Sequence, residues 1–181
     1  MKTINAVRLA TASIILALGA ASSAHAHVTL ETREAVVNTT YKAVLRVPHG
    51  CSGEATLRLR VRIPDGIVGV RPMPKAGWTL ETVVAPLAQP YTSHGREITE
   101  GVVEIIWTGE LLDEHYDEFV FRGRLTDALP VNEIVYISVV QECANGAERW
   151  IEIPAAGQTS RDLRYPAPGL KILPAAGGHR H

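Results

Sequence analysis

Enzyme signatures are missing from this chain. It has no Gly-x-Ser-x-Gly elbow, no phosphate-binding glycine loop and no His-Glu-x-x-His pair. The sequence therefore reads as a binding protein and not an enzyme. Long apolar runs are also lacking. Beyond residue 26 nothing approaches the roughly 20 apolar residues that a membrane-spanning helix needs. Basic charge is not in excess, since 18 Lys and Arg stand against 19 Asp and Glu. That balance argues against nucleic acid or anionic lipid as the main partner. No long amphipathic helix and no internal repeat is visible, and cysteine occurs only twice, at Cys51 and Cys143.

The first 26 residues read as a secretory signal peptide. Lys2 and Arg8 precede an apolar stretch from Ala10 to Ala20, and Ala24-His25-Ala26 matches a small-x-small cleavage pattern. A cut after Ala26 leaves 155 of the 181 residues, starting at His27, with 16 basic against 19 acidic side chains. The expected location is periplasmic or secreted. In such an oxidising compartment an even pair of cysteines usually means a disulfide, worth about 2–4 kcal/mol for a long loop. A two-thiolate metal site is the other reading of Cys51 and Cys143.

What is present points to an all-β chain. From Ala55 to Ile63, apolar Ala55, Leu57, Leu59, Val61 and Ile63 alternate with Thr56, Arg58, Arg60 and Arg62. A period of two puts one face on a core and three arginines on a solvated face, balanced by acidic neighbours. Tyr41–Val47 is a second strand, ended by Pro48. Further strands are expected at 67–71, 78–84, 102–108, 118–125, 134–141 and 149–153, separated by Pro-, Gly- and Asn-Gly turns. Asn145-Gly146 reads as a hairpin tip. Many short strands at regular spacing favour a β-sandwich over residues 27–157. Residues 86–100, with Pro86, Pro90 and Gly95, read as a long exposed loop. Residues 158–181, with Pro166, Pro168 and Pro174, read as an extended C-terminal strap ending in a loose tail.

His27 is the leading candidate for chemistry. As a first residue it offers an α-amine and an imidazole Nδ1, which together close a six-membered chelate ring. Both are nitrogen donors, and Cu(II) heads the divalent series for such ligands. Their ordinary pKa values, about 8 and about 6.5, leave little proton competition at neutral pH. Glu31 and Glu34 follow closely and either supplies a carboxylate. Val28-Thr29-Leu30 reads as a short strand that pins the terminus. His49 falls in a turn. His115, within Asp113-Glu114-His115-Tyr116-Asp117-Glu118, falls in an acidic segment without the spacing of a calcium loop. His94, His179 and His181 fall in the expected loop and tail. Trp78 and Trp107 read as core residues.

His27-Val28-Thr29, Glu34, Leu45-Arg46-Val47-Pro48, Pro74-Lys75-Ala76-Gly77-Trp78, Glu118-Phe119-Val120-Phe121 and Trp150 together resemble the YcnI-like family of exported bacterial copper-binding proteins. The resemblance covers roughly residues 27–153. It implies an immunoglobulin- or cupredoxin-like sandwich holding Cu2+ through a single-histidine brace. On that basis His27 is the brace, Glu34 the carboxylate ligand and Trp150 the tryptophan beside the metal. Ile151 and Ile153 are expected on the core face of their strand, which turns Trp150 and Glu152 to the other. The cysteine pair and the strap depart from the family pattern. The implied function is copper acquisition, storage or delivery, with a periplasmic copper chaperone or a membrane copper transporter as partner. Two other readings follow from the residues. One is a metal-free interaction module presenting the arginine face or the 86–100 segment. The other is an oxidative copper enzyme, which needs a second histidine ligand that is not marked here.

Overall fold

The period-two runs become strands packed as two facing sheets with a small third sheet at one flank. The computed structural model describes residues 27–93 and 95–175. The signal segment, His25, His94, His179 and His181 lie outside the described residues. The strands are β1 (Thr29–Leu30), β2 (Glu34–Val36), β3 (Thr40–Val47), β4 (Thr56–Arg62), β5 (Ile67–Pro72), β6 (Thr79–Ser93), β7 (Arg96–Leu111), β8 (Asp117–Leu125), β9 (Ile134–Tyr136), β10 (Val139–Cys143), β11 (Ala147–Trp150) and β12 (Gly169–Leu173). One 3-10 turn covers Ser160–Asp162. The first sheet has the order β1-β3-β8-β5, the second β11-β10-β4-β7-β6, and the third β2-β12-β9.

The core lies between the first two sheets. Ala43, Leu45, Val47, Phe119 and Phe121 face Leu59, Val61, Ile105 and Trp107, all fully or almost fully buried. Trp107 and Phe119 meet edge to face with ring centres 5.5 Å apart, and Trp78 closes on Phe119 at 4.8 Å. Trp78 is only half-buried. It lies across Gly109 of β7, where any Cβ would strike its ring. Cys51 and Cys143 form a disulfide that ties the turn before β4 to the end of β10.

Several expectations needed correction. The described residues of the 86–100 segment, Gly95 aside, are strand and not loop. Residues 86–93 and 96–100 belong to β6 and β7, paired out to Ser93↔Arg96. Pro86 and Pro90 fall in an irregular stretch, from Pro86 to Tyr91, of an edge strand, where proline is tolerated. The run 134–141 divides at Ile137–Ser138. β9 pairs with β12, whereas β10 pairs with β4, so one apolar run serves two sheets. In β4 Leu59, Val61 and Ile63 face the core as expected, but a register shift between Thr56 and Arg58 reverses the facing of Thr56 and Leu57. Thr56 is fully buried and Leu57 is 38 % exposed. The supposed strap is also partly sheet. β12 pairs in parallel with β2 and antiparallel with β9, and it buries Leu170 and Ile172 completely. The arginine face is solvated and paired: Arg60 reaches Glu104 at 2.8 Å and Glu142 at 3.4 Å, and Arg58 reaches Glu142 at 3.7 Å.

Candidate metal centre

The site lies where two sheet edges meet. β1 is an edge of the first sheet and β11 an edge of the second. β1 is pinned by pairing with β3, Thr29↔Arg46 and Leu30↔Leu45, and by the burial of Val28 and Leu30. That fixes His27, two residues before β1. Trp150, the last residue of β11, stands opposite Val139 of β10. The His27 and Trp150 rings meet edge to face, with centres 5.6 Å apart at 60°. Tyr165 packs on Trp150 at 5.4 Å. Its segment is held by Glu152, whose carboxylate accepts the Tyr165 amide at 2.8 Å.

Trp150 does not leave the core, as its strand pattern had suggested. It is 1 % exposed, while Ile151 and Ile153 are 39 % and 59 % exposed. β11 ends at Trp150, and the chain then bonds to the Tyr165 carbonyl, yet the alternation continues, with Trp150 and Glu152 on the inner side and Ile151 and Ile153 on the outer, so the face expected to meet the core is the solvent face. Trp150 is thus both a core residue and the neighbour of His27. Its indole N–H donates to Gln141 Oε1 at 3.0 Å. Gln141 is fully buried, and its Nε2 donates to the His49 carbonyl at 2.7 Å and to Thr56 Oγ1 at 2.6 Å. All of its main bonding capacity is used inside the core. What Trp150 offers His27 is ring surface, because its polar edge is committed to Gln141.

His27 is half-buried and lines a groove of about 420 Å³ with Arg33, Glu34, Tyr136, Arg161 and Lys171. Glu34, the first residue of β2, pairs across the parallel ladder with Lys171, its carboxylate 3.7 Å from Nζ. The loop between β1 and β2 is anchored by Tyr41, whose hydroxyl donates to the Thr32 carbonyl at 2.6 Å. Burial, and secondarily the charge of Glu31, push the Tyr41 phenol up to about 12. It therefore remains a neutral donor across the physiological range. Glu31 does not line the groove. It pairs with Arg46 at 3.3 Å, beside Glu118. The structure thus places Glu34, and not Glu31, in the groove with His27.

His49 and His115 are elsewhere. The His49 ring meets the Gly50 carbonyl, and His115 lies in the exposed turn before β8, where Asp117 is taken by Lys75 at 2.6 Å. Among the described residues no three His, Cys, Asp or Glu side chains converge as a metal site. The sequence reading missed Gln141. The signal was available, since Ile137-Ser138-Val139-Val140-Gln141 puts a polar side chain on the face of two core residues. It also missed Arg33, Arg161 and Lys171, which only the fold gathers around His27.

The sequence profile of a domain of unknown function, DUF1775, matches residues 27–172. The chain belongs to that family. The DUF1775 match starts on His27 and runs through β12, which joins the C-terminal strand to the domain. A solved structure of an uncharacterized protein from Nocardia farcinica, with an immunoglobulin-like fold, superposes on this DUF1775 chain with a TM-score of 0.60. It is 22 % identical, and the match covers 81 % of this chain and 98 % of that one. It shows the fold. No curated protein matches the sequence.

Proposed function

We propose that this DUF1775 protein is exported, is cut between Ala26 and His27, and carries Cu(II) as cargo on the new terminus. His27 supplies the amine and Nδ1, and Glu34 supplies a carboxylate. The observation that carries this reading is the His27 ring, set against Trp150 at the mouth of a groove that Glu34 shares. The family resemblance and the start of the family match at residue 27 support it.

The donor set suits the ion. Two nitrogens and one oxygen fill three positions of a tetragonal Cu(II) centre and leave one open. Glu34 must give up Lys171 to coordinate, but the pair is weak. Both side chains are about half exposed, at 57 % and 46 %, and such pairs are worth about 0–1 kcal/mol. The Trp150 ring, fixed through Gln141, shields one side of His27 from water. The Gln141 bonds keep that wall in place when cargo comes and goes. An open position and few protein ligands favour handover to a partner, a periplasmic copper chaperone or a membrane copper transporter. The reading is tested by the intact mass of the exported protein and by isothermal titration with Cu(II). The expected start is His27, with one Cu(II) per chain, and binding is lost in His27→Ala. A different start, or equally tight binding by His27→Ala, overturns it.

A further inference from the structure

The groove beside His27 is far larger than one ion needs. At about 420 Å³ it falls in the size range of small-molecule sites, about 300–1,000 Å³, whereas a water occupies only about 30 Å³. Its charge is also opposite to that of the chain. The described groove carries Arg33, Arg161 and Lys171 against the single carboxylate of Glu34, while the chain as a whole has more acidic than basic residues. Lys171 is the one cation already matched, by Glu34. Arg33 uses Nε to hold the Leu30 carbonyl at 3.4 Å, which orients the guanidinium without neutralising it. Arg161 stands in the 3-10 turn. Its neighbour Asp162 is occupied by the amide and hydroxyl of Thr159, at 2.7 and 2.8 Å. Among the described residues neither Arg33 nor Arg161 pairs with a carboxylate.

We infer that the groove binds a small di- or tricarboxylate that completes the coordination of the His27-bound cargo. The inference rests on the copper reading above and names the form in which the cargo is held. When Glu34 turns to the metal, Lys171 is left without its partner. The groove then holds three side-chain cations and a divalent metal against one protein carboxylate. An occupant with two or three carboxylates supplies the missing negative charge. One oxygen takes the open equatorial position, and the others reach the guanidinium forks, which match carboxylate geometry. Ile134, Tyr136 and Pro168 give the groove an apolar wall for the carbon skeleton. The protein would thus exchange copper as a chelate and not as an aquo ion.

The test uses the protein starting at His27, loaded with one Cu(II), with malonate and citrate as probes. Copper EPR and calorimetry are followed for the wild type, Arg33→Gln, Arg161→Gln and the double variant. The expected result is saturable one-to-one uptake of malonate or citrate with a changed copper spectrum and the metal still on the protein. Each variant should weaken carboxylate uptake about tenfold, the size of a charge-assisted hydrogen bond. Copper affinity without carboxylate should stay within about twofold, since neither arginine is a ligand. If copper binds but the spectrum ignores both anions, or citrate only strips the metal, or the variants match wild type, the inference fails and the copper reading stands. If the wild type holds no copper at His27, both fail.

Discussion

Replacing Gln141 with leucine isolates the link between the core and the candidate site. The change keeps the side-chain volume nearly constant, so cavity and overpacking costs are small. It removes the donor to Thr56 Oγ1, the donor to the His49 carbonyl and the acceptor for Trp150 Nε1. Thr56 and Trp150 are 0 % and 1 % exposed, so water cannot replace the lost partner at either. Each buried orphan costs about 1–3 kcal/mol. The His49 residue is half-buried, and its carbonyl is the one group that can recover a bond from solvent. The expected loss is about 3–4 kcal/mol, or about 10 °C in Tm for a domain of this size. Urea unfolding followed by tryptophan emission measures it. Trp150→Phe removes the indole donor from the other side, so the two changes together should cost about 1–2 kcal/mol less than their sum. A loss below about 1 kcal/mol for Gln141→Leu, or strict additivity, refutes the claim that Gln141 holds Trp150.

Other outcomes follow from the same contacts. Replacing both Cys51 and Cys143 with serine, which opens a loop of sequence separation 92, should cost about 2–5 kcal/mol in chemical unfolding. Tyr41 has a folded pKa of about 12 against an ordinary 10.0. Its contribution is complete below pH 10 and is lost as pH rises towards 12, by up to about 2.7 kcal/mol at 1.36 per pH unit. Tyr41→Phe should lose about 1 kcal/mol at neutral pH with the Thr32 bond, and should show a shallower alkaline decline in stability scans. Glu34→Gln should weaken Cu(II) binding about tenfold or more, whereas Glu31→Gln should change it less than about twofold, both read by competition titration. Equal effects of the two would place the carboxylate ligand outside the groove.

The sandwich was legible because alternation survives wherever a strand has one wet face, as in β3, β7 and β8. It failed where pairing partners decide the outcome. Ile134 to Gln141 reads as one strand from its apolar content, and only the arrival of β12 beside β9 divides it. Thr56 and Leu57 exchange faces through a bulge that no residue type announces. Pro86 and Pro90 argue for a loop until β6 is known to be an edge. Around the candidate site, the sequence named His27, Glu34 and Trp150, and the fold brings His27 against Trp150 and into one groove with Glu34. The facing of Trp150 was not legible, because Ile151 and Ile153 look like core residues and are exposed in the fold. Arg33, Arg161 and Lys171 come from three separate segments. No local pattern joins them, and the groove they form exists only in the folded chain.

In the proposed site the α-amine and the imidazole of His27 act on one metal ion together. Cu(II) titration with EPR on two proteins tests it most directly. One begins at His27, and the other carries a Ser-Gly-Ser-Gly leader before it, which moves the amine too far away to close the chelate ring. The first protein should hold one Cu(II) tightly, with a single axial spectrum. In the second, binding should be no stronger than that of an exposed histidine, and the copper-induced rise in Tm should disappear. Equal affinity and an identical spectrum in both proteins would contradict it.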